Sequence, residues 1–184
     1  RRFAAEGGRG AVGDLAREKA GAVAKSLPDA IAFGIDVSDE TSVKAAIAGT
    51  HAKFGRIDCV FNAAGHVVFG PIETYPLEEW NRIFAVHAGG TFLVCKHVLP
   101  VMRAQGGGAI VNCGSTAALS SGRLNGPYAG AKGAIIAFSQ QLALDAGPEI
   151  RVNVLIPGRT LTDMTEKAYT ERYGTNIEEA MKAA

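Results

Sequence analysis

At 184 residues, 47% of them hydrophobic, the chain is long enough for one domain with a buried core, and nothing in it marks a division into two. Its 19 basic and 18 acidic residues leave a formal charge of +1 and are interspersed. That excludes the basic face or run by which nucleic acid or an anionic membrane is bound, and it points to a small-molecule partner.

The chain opens "RRFAAEGGRGAVGD" without an initiator methionine, and residues 1 to 6 read as the last turn of a helix stopped by Gly7 or Gly8. The expectation is that a segment precedes residue 1. The first strand is "GAVGD" at 10 to 14, followed by a helical segment from Leu15, and the second is "IAFGID" at 31 to 36. Val43, Ala46, Ile47, Thr50 and Phe54 then recur at helical spacing before a third strand, "IDCVFN", at 57 to 62. Helical patterns within 78 to 105 and 127 to 144 flank a fourth strand, "AIVNCG", at 109 to 114, and "RVNVLI" at 151 to 156 is the fifth. The tail, "TEKAYTERYGTNIEEAMKAA", is polar and helix-favouring but closes no core, so the chain reads as a single domain lacking both termini.

This is a β-α-β-α rhythm with strands that are nearly continuous apolar runs. Such strands are buried on both faces, so the expected fold is a doubly wound α/β sheet, mostly parallel and Rossmann-like, with helices above and below. No apolar run reaches the ~18 to 20 residues of a membrane span. Cys59, Cys95 and Cys113 form no Cys-x-x-Cys pair and leave one over in any disulfide scheme, which fits a cytoplasmic, reducing compartment. His51, His66, His87 and His97 have no zinc-ligand spacing among themselves or with the cysteines, and no metal site is expected.

In an open α/β sheet the ligand crevice lies beyond the carboxyl ends of the strands. The first strand ends in Asp14, an acceptor for ribose hydroxyls or a helix N-cap. Asp36 and Val37 end the second, with Asp36 either a cap or an adenine contact. Asn62, Ala63, Ala64 and Gly65 end the third, where small residues leave bare backbone for a cofactor or simply make a turn. Ser115 follows the fourth, and Pro157, Gly158 and Thr162 follow the fifth. After the fourth strand, "GPYAGAKG" sets Tyr128 and Lys132 four apart, on one face of a helix.

Together these residues resemble the classical short-chain dehydrogenase/reductase family: Asp14, Asp36-Val37, Asn62-Ala63-Ala64-Gly65, Asn112-Cys113-Gly114-Ser115, the Tyr128-x-x-x-Lys132 motif, Pro157-Gly158 and Thr162, in the family's order from residue 1 to about 164. Ser115 precedes Tyr128 by 13 positions, as the family's catalytic serine commonly does. The resemblance implies an oxidoreductase that interconverts a secondary alcohol and its ketone or aldehyde with NAD(H). Tyr128 would be the acid/base and Ser115 would hold the substrate oxygen. Lys132 would lower the tyrosine pKa and bond the nicotinamide ribose. Asp14 implies NAD rather than NADP, because a carboxylate accepts from the 2′-hydroxyl and repels a 2′-phosphate. The resemblance also implies a homodimer or homotetramer formed through the helices at 78 to 105 and 127 to 146.

There are two departures. The family's glycine-rich TGxxxGxG turn and first strand have no counterpart in residues 1 to 184. In the family's strand order, 3-2-1-4-5-6-7, that strand is central, so the strands at 10 to 14 and 31 to 35 are expected to have no neighbour joining them to the others. In that state the chain is expected neither to fold well nor to hold a pyrophosphate. The second departure is His87 in "FAVHAGG", where the family usually has asparagine. His87 is carried as a catalytic residue of the proton path, and with an ordinary pKa of ~6.5 it would add an acid-side loss of rate. The reading from another class is a non-catalytic nucleotide-binding or scaffold protein on the same fold. Sugar-nucleotide epimerases and enoyl reductases are less similar, the former being longer and the latter spacing tyrosine and lysine more widely. Residues 122 to 125 and His66 are candidates to face the substrate, whose identity the sequence does not specify.

Overall fold

A computed structural model describes residues 2–120, 122–158, 160–162, 165, 166, 170 and 174. The opening helix, α1 (Arg2–Ala5), stops as expected at Gly7, whose φ of +87° lies in the left-handed region that glycine enters freely. Strand β1 (Gly10–Asp14) is followed by α2 (Arg17–Lys25), which starts two residues later than the sequence suggested, and by β2 (Ala30–Gly34). β1 and β2 pair in parallel with Val12 opposite Ala32, and α2 packs on both, burying Ala20 and Ala24. Helix α3 (Glu40–Phe54) is capped by Asp39, whose carboxylate accepts from the Thr41 amide at 2.9 Å.

The remaining strands, β3 (Cys59–Asn62), β4 (Gly108–Cys113) and β5 (Ile150–Leu155), form a second parallel sheet in that order. Between β3 and β4, α4 (Leu77–Phe84) passes through a π-helical turn, Ala85–Gly89, directly into α5 (Gly90–Ala104). Helix α6 (Gly126–Ala146) then leads to β5. The main core gathers Ile57, Cys95, Val98, Met102, Ile110, Leu142, Ala146 and Ile150, which joins α5 and α6 to one face of this sheet. Helix α3 is tied to α5 at the surface, where Glu40 Oε1 accepts from Lys96 Nζ at 2.7 Å and lies 2.8 Å from His97 Nε2.

Three expectations meet the structure here. The strands at 10 to 14 and 30 to 34 are separate from the others: among the described residues the strands form two sheets, with no ladder between them. A cavity of about 720 Å³ lies between the sheets, lined among others by Gly13, Phe33, Cys59, Phe61 and Val94. The parallel pairing of a Rossmann-like α/β fold is observed. Among the described residues α5 and α6 cover one face of the second sheet, so exposed and covered residues alternate in β3 and β5, and Phe61 and Leu155 are 56% and 51% exposed. The third concerns membrane spans. The continuous helix Leu77–Ala104 is long and apolar enough, by length and composition, to cross a membrane. A search for unbroken apolar runs missed it because charged residues interrupt it, and its Ile83, Val94, Val98 and Met102 are buried in the core.

Candidate functional site

The carboxyl ends of β1, β2 and β3 open on one cavity, whose lining includes Asp14, Leu15, Asp36, Val37 and the run from Asn62 to His66. Asp14 is not the cap of α2, whose N-cap is Ala16 with no side-chain bond. Its Oδ1 instead accepts from the Ala16 amide at 2.8 Å, which closes a local turn. Asp36 Oδ1 accepts from the amide and hydroxyl of Ser38 at 2.9 and 2.6 Å. Those bonds hold its carboxyl below the usual carboxylate range. Val37 packs on Gly90 of α5, where a Cβ would come within 2.7 Å of Val37 Cγ2.

The second group forms where β4 meets the start of α6. Tyr128 and Lys132 occupy the first two turns of α6, and Lys132 is only 4% exposed. Its Nζ donates to the carbonyl oxygen of Cys113 at 2.7 Å and lies 5.7 Å from the centroid of the Tyr128 ring. Ser115 accepts from the Ala117 amide at 3.1 Å and hydrogen bonds the Tyr128 side chain. Burial pushes the Tyr128 phenol above its ordinary value, and the bond to Ser115 works against that shift. A lowering by Lys132 is not among the causes of the shift, and its ammonium donates to the Cys113 carbonyl. Burial in turn lowers the Lys132 pKa.

His87 lies in the π-helical turn and is 1% exposed. Its Nε2 is 2.7 Å from the carbonyl oxygen and 3.1 Å from the amide nitrogen of His66, and its ring meets Tyr128 edge-on at 5.3 Å. Burial, reinforced by the Lys132 charge, pulls its pKa down to about 4. An acid-side loss of rate through this group therefore belongs near pH 4, not near 6.5. His66 itself lies 2.9 Å from Glu79 Oε1 through its Nε2. At the end of β5, the Pro157 carbonyl accepts from the Thr116 amide at 3.0 Å, which ties that end to the Ser115 turn, and Gly158 follows. Thr162 is exposed and meets Thr165, their hydroxyl oxygens 3.0 Å apart, so the structure does not bring it to the cavity.

Asn112, which the resemblance includes without a role, joins the two groups. Asn112, fully buried in β4, accepts from Asn62 Nδ2 at 2.9 Å and donates to Ser139 Oγ on α6 at 2.8 Å. These bonds join α6 to β4 next to Cys113, whose carbonyl accepts from Lys132. The available signal was an asparagine in an otherwise apolar strand. Ser139→Ala leaves a buried Asn112 donor unpaired and is expected to cost about 1–3 kcal/mol, read from urea denaturation midpoints. A change within a few tenths of a kcal/mol would mean that packing alone sets the register.

The sequence model of the family described as short chain dehydrogenase matches residues 1–172. The chain is 39% identical over 174 residues to a 2-(R)-hydroxypropyl-CoM dehydrogenase of Xanthobacter autotrophicus, a match covering 90% of this chain and 70% of that protein. Among solved structures it resembles levodione reductase, with a TM-score of 0.91 at 31% identity, over 97% of this chain and 72% of that one. It also resembles an NAD+-bound xylitol dehydrogenase, with a TM-score of 0.84 at 34% identity, over 89% and 66%. The chain thus spans about two thirds of the length of such relatives.

Proposed function

Because the chain belongs to the short-chain dehydrogenase family, we propose that it interconverts a secondary alcohol and its ketone or aldehyde with NAD(H), using Tyr128 as the acid/base. The observation that carries this reading is the convergence of Ser115, Tyr128 and Lys132 at one strand end, with the serine bonded to the tyrosine and the ammonium close under its ring. The residues at the strand ends fit the two ends of a nicotinamide dinucleotide, while the glycine-rich turn that would hold its pyrophosphate has no counterpart in residues 1 to 184. Ala63, Ala64 and Gly65 offer backbone free of bulky side chains beyond β3, and Asp14 ends β1. When bound, that cofactor supplies the hydride acceptor or donor.

The chain's own residues do the rest. Ser115 holds the substrate oxygen beside the Tyr128 hydroxyl, and Tyr128 gives that oxygen a proton during reduction or takes one during oxidation. Lys132 carries a positive charge close to the phenol, which favours the ionised form in the transition state. Asp14, Asp36, Val37 and Asn62 through Gly65 hold the cofactor, and Pro157 and Gly158, tied to the Ser115 turn, lie on its nicotinamide side. The preference for NAD rests on Asp14 and is supported by the NAD+-bound neighbour. We further place the protein in the cytoplasm as a homodimer or homotetramer joined through α5 and α6, which leave Phe92 46% and Leu144 77% exposed.

The test is a panel of secondary alcohols and ketones followed by NADH absorbance, with Asp14→Ala alongside the parent. Loss of a charged ribose acceptor is expected to weaken NAD about tenfold or more, since such bonds contribute roughly 1.5–3 kcal/mol, while NADP binding is unchanged or improves. Equal weakening of both would reduce Asp14 to its turn with Ala16. Absence of turnover across the panel would favour the non-catalytic reading.

A further inference from the structure

His66 is a second imidazole at the site, and the chemistry above leaves its side chain without a task. It follows the small-residue run after β3 and is among the residues that line the cavity there. Its ring is fixed on two sides. Nε2 lies 2.9 Å from Glu79 Oε1 on α4, and the ring stacks at 5.8 Å on that of His87, which in turn meets Tyr128 edge-on. His66 thus stands one ring away from the acid/base. The segment it opens is also tied toward the start of α6. The Tyr75 hydroxyl donates to the Val68 carbonyl at 3.2 Å, and the Gly70 amide donates at 3.0 Å to the carbonyl of Leu124, in the turn that leads to Tyr128. The His66 and Glu79 side chains are 26% and 22% exposed, so the pair is within reach of a ligand yet partly withdrawn from water.

We propose that His66, backed by Glu79, recognises a second hydroxyl on the substrate, which makes neutral diols and hydroxyketones the preferred class and disfavours hydroxy acids. The proposal deepens the dehydrogenase reading and rests on it. The choice of ligand follows from the pair. A carboxylate only accepts, so Nε2 carries a proton whether the ring is neutral or charged, and Nδ1 is the nitrogen left for a ligand. A neutral ring offers a lone pair there, and a charged ring offers a proton. A hydroxyl answers both, because it donates and accepts.

Other substituents answer less well. A carboxylate on the substrate suits only the charged ring, and it meets the charge of Glu79 just behind. That charge is felt nearby, since it adds to the effect of burial in raising the Tyr75 phenol. An alkyl group suits neither state and would cover a ring nitrogen without pairing it.

The experiment follows four alcohols on the full-length protein with NAD: 2-butanol, 1,3-butanediol, 2,3-butanediol and 3-hydroxybutyrate. They share a secondary carbinol and differ in what the rest of the chain carries. In the parent, kcat/KM for the better diol is expected to exceed that for 2-butanol at least about tenfold, roughly the effect of one hydrogen bond to an ionic partner, while 3-hydroxybutyrate does no better than 2-butanol. In His66→Phe the diol advantage is expected to fall to within about threefold, and His66→Gln, whose amide donates and accepts, to recover part of it. Glu79→Gln keeps an acceptor for Nε2 and removes the charge, so 3-hydroxybutyrate is expected to gain at least about fivefold relative to 2-butanol. Independently of turnover, the nitrogen-15 signal of His66 Nδ1 should move on titration with 1,3-butanediol in the presence of NADH and stay in place with 2-butanol. The proposal is overturned if the parent shows no diol advantage, if the advantage survives in His66→Phe, if the hydroxy acid gains nothing in Glu79→Gln, or if the Nδ1 signal responds to both alcohols or to neither. A parent that turns over none of the four would overturn the dehydrogenase reading, and the titration would then decide the role of His66.

Discussion

Tyr128→Phe is expected to lower turnover by at least ~100-fold while leaving the affinity for NAD within about threefold. The substitution removes one oxygen and keeps the ring, so the edge-on contact with His87 and the cation beneath the ring remain. What disappears is the bond to Ser115 and the proton carrier. In the structure burial holds the phenol above its ordinary pKa, so the neutral hydroxyl is the dominant form at neutral pH. Proton donation to a ketone is then available from the ground state, whereas alcohol oxidation has to draw on the small ionised fraction. Reduction is accordingly expected to persist at lower pH than oxidation. Stopped-flow and steady-state rates for parent and variant in both directions check this, and near-normal turnover in the variant would remove Tyr128 from the chemistry.

The second large effect is on stability in acid. In the unfolded chain an imidazole takes up its proton near pH 6.5, but folded His87 does so only near 4. Above 6.5 both states are neutral and this residue makes no difference. Between 6.5 and 4 the unfolded chain binds a proton that the folded protein refuses, so stability falls as pH falls, by up to about 1.4 kcal/mol per unit and about 3 kcal/mol in all. The charged and titratable groups around the ring are Lys132, Tyr128 and His66, with Glu79 beyond His66. All of these persist in His87→Gln. Urea denaturation of parent and variant at pH 7 and pH 4.5 should therefore show an additional loss of about 2–3 kcal/mol in the parent at the lower pH. Equal losses would mean that the buried ring accepts its proton as readily as a free one.

Much of this was legible in the residues. Glycine- and polar-bounded apolar runs located all five strands to within two residues, because parallel strands need contiguous apolar stretches whatever surrounds them. Tyr128 and Lys132 could be paired from spacing alone, since a helix places i and i+4 together. Burial was not legible in the same way. The apolar Phe61 and Leu155 read as two-sided core, yet whether a face is covered depends on which helices reach it, and among the described residues α5 and α6 reach the other face. Nor could spacing show that the Lys132 ammonium is taken by the Cys113 carbonyl, or that His87 is turned toward the backbone of His66. Those outcomes turn on backbone groups, and every residue carries the same backbone groups. The role of Asn112 was hidden for a different reason: its partners, Asn62 and Ser139, are 50 and 27 residues away.

Asp14 and Tyr128 stand on different groups of strands, which among the described residues meet through the packing of α3 on α5 and the contacts of Lys96 and His97 with Glu40. A dinucleotide reaching from Asp14 to the Tyr128 side would touch both groups and could do so only in the folded arrangement. Its binding would therefore add to resistance against denaturation in step with its concentration, making the cofactor a clamp on the fold as well as a reactant.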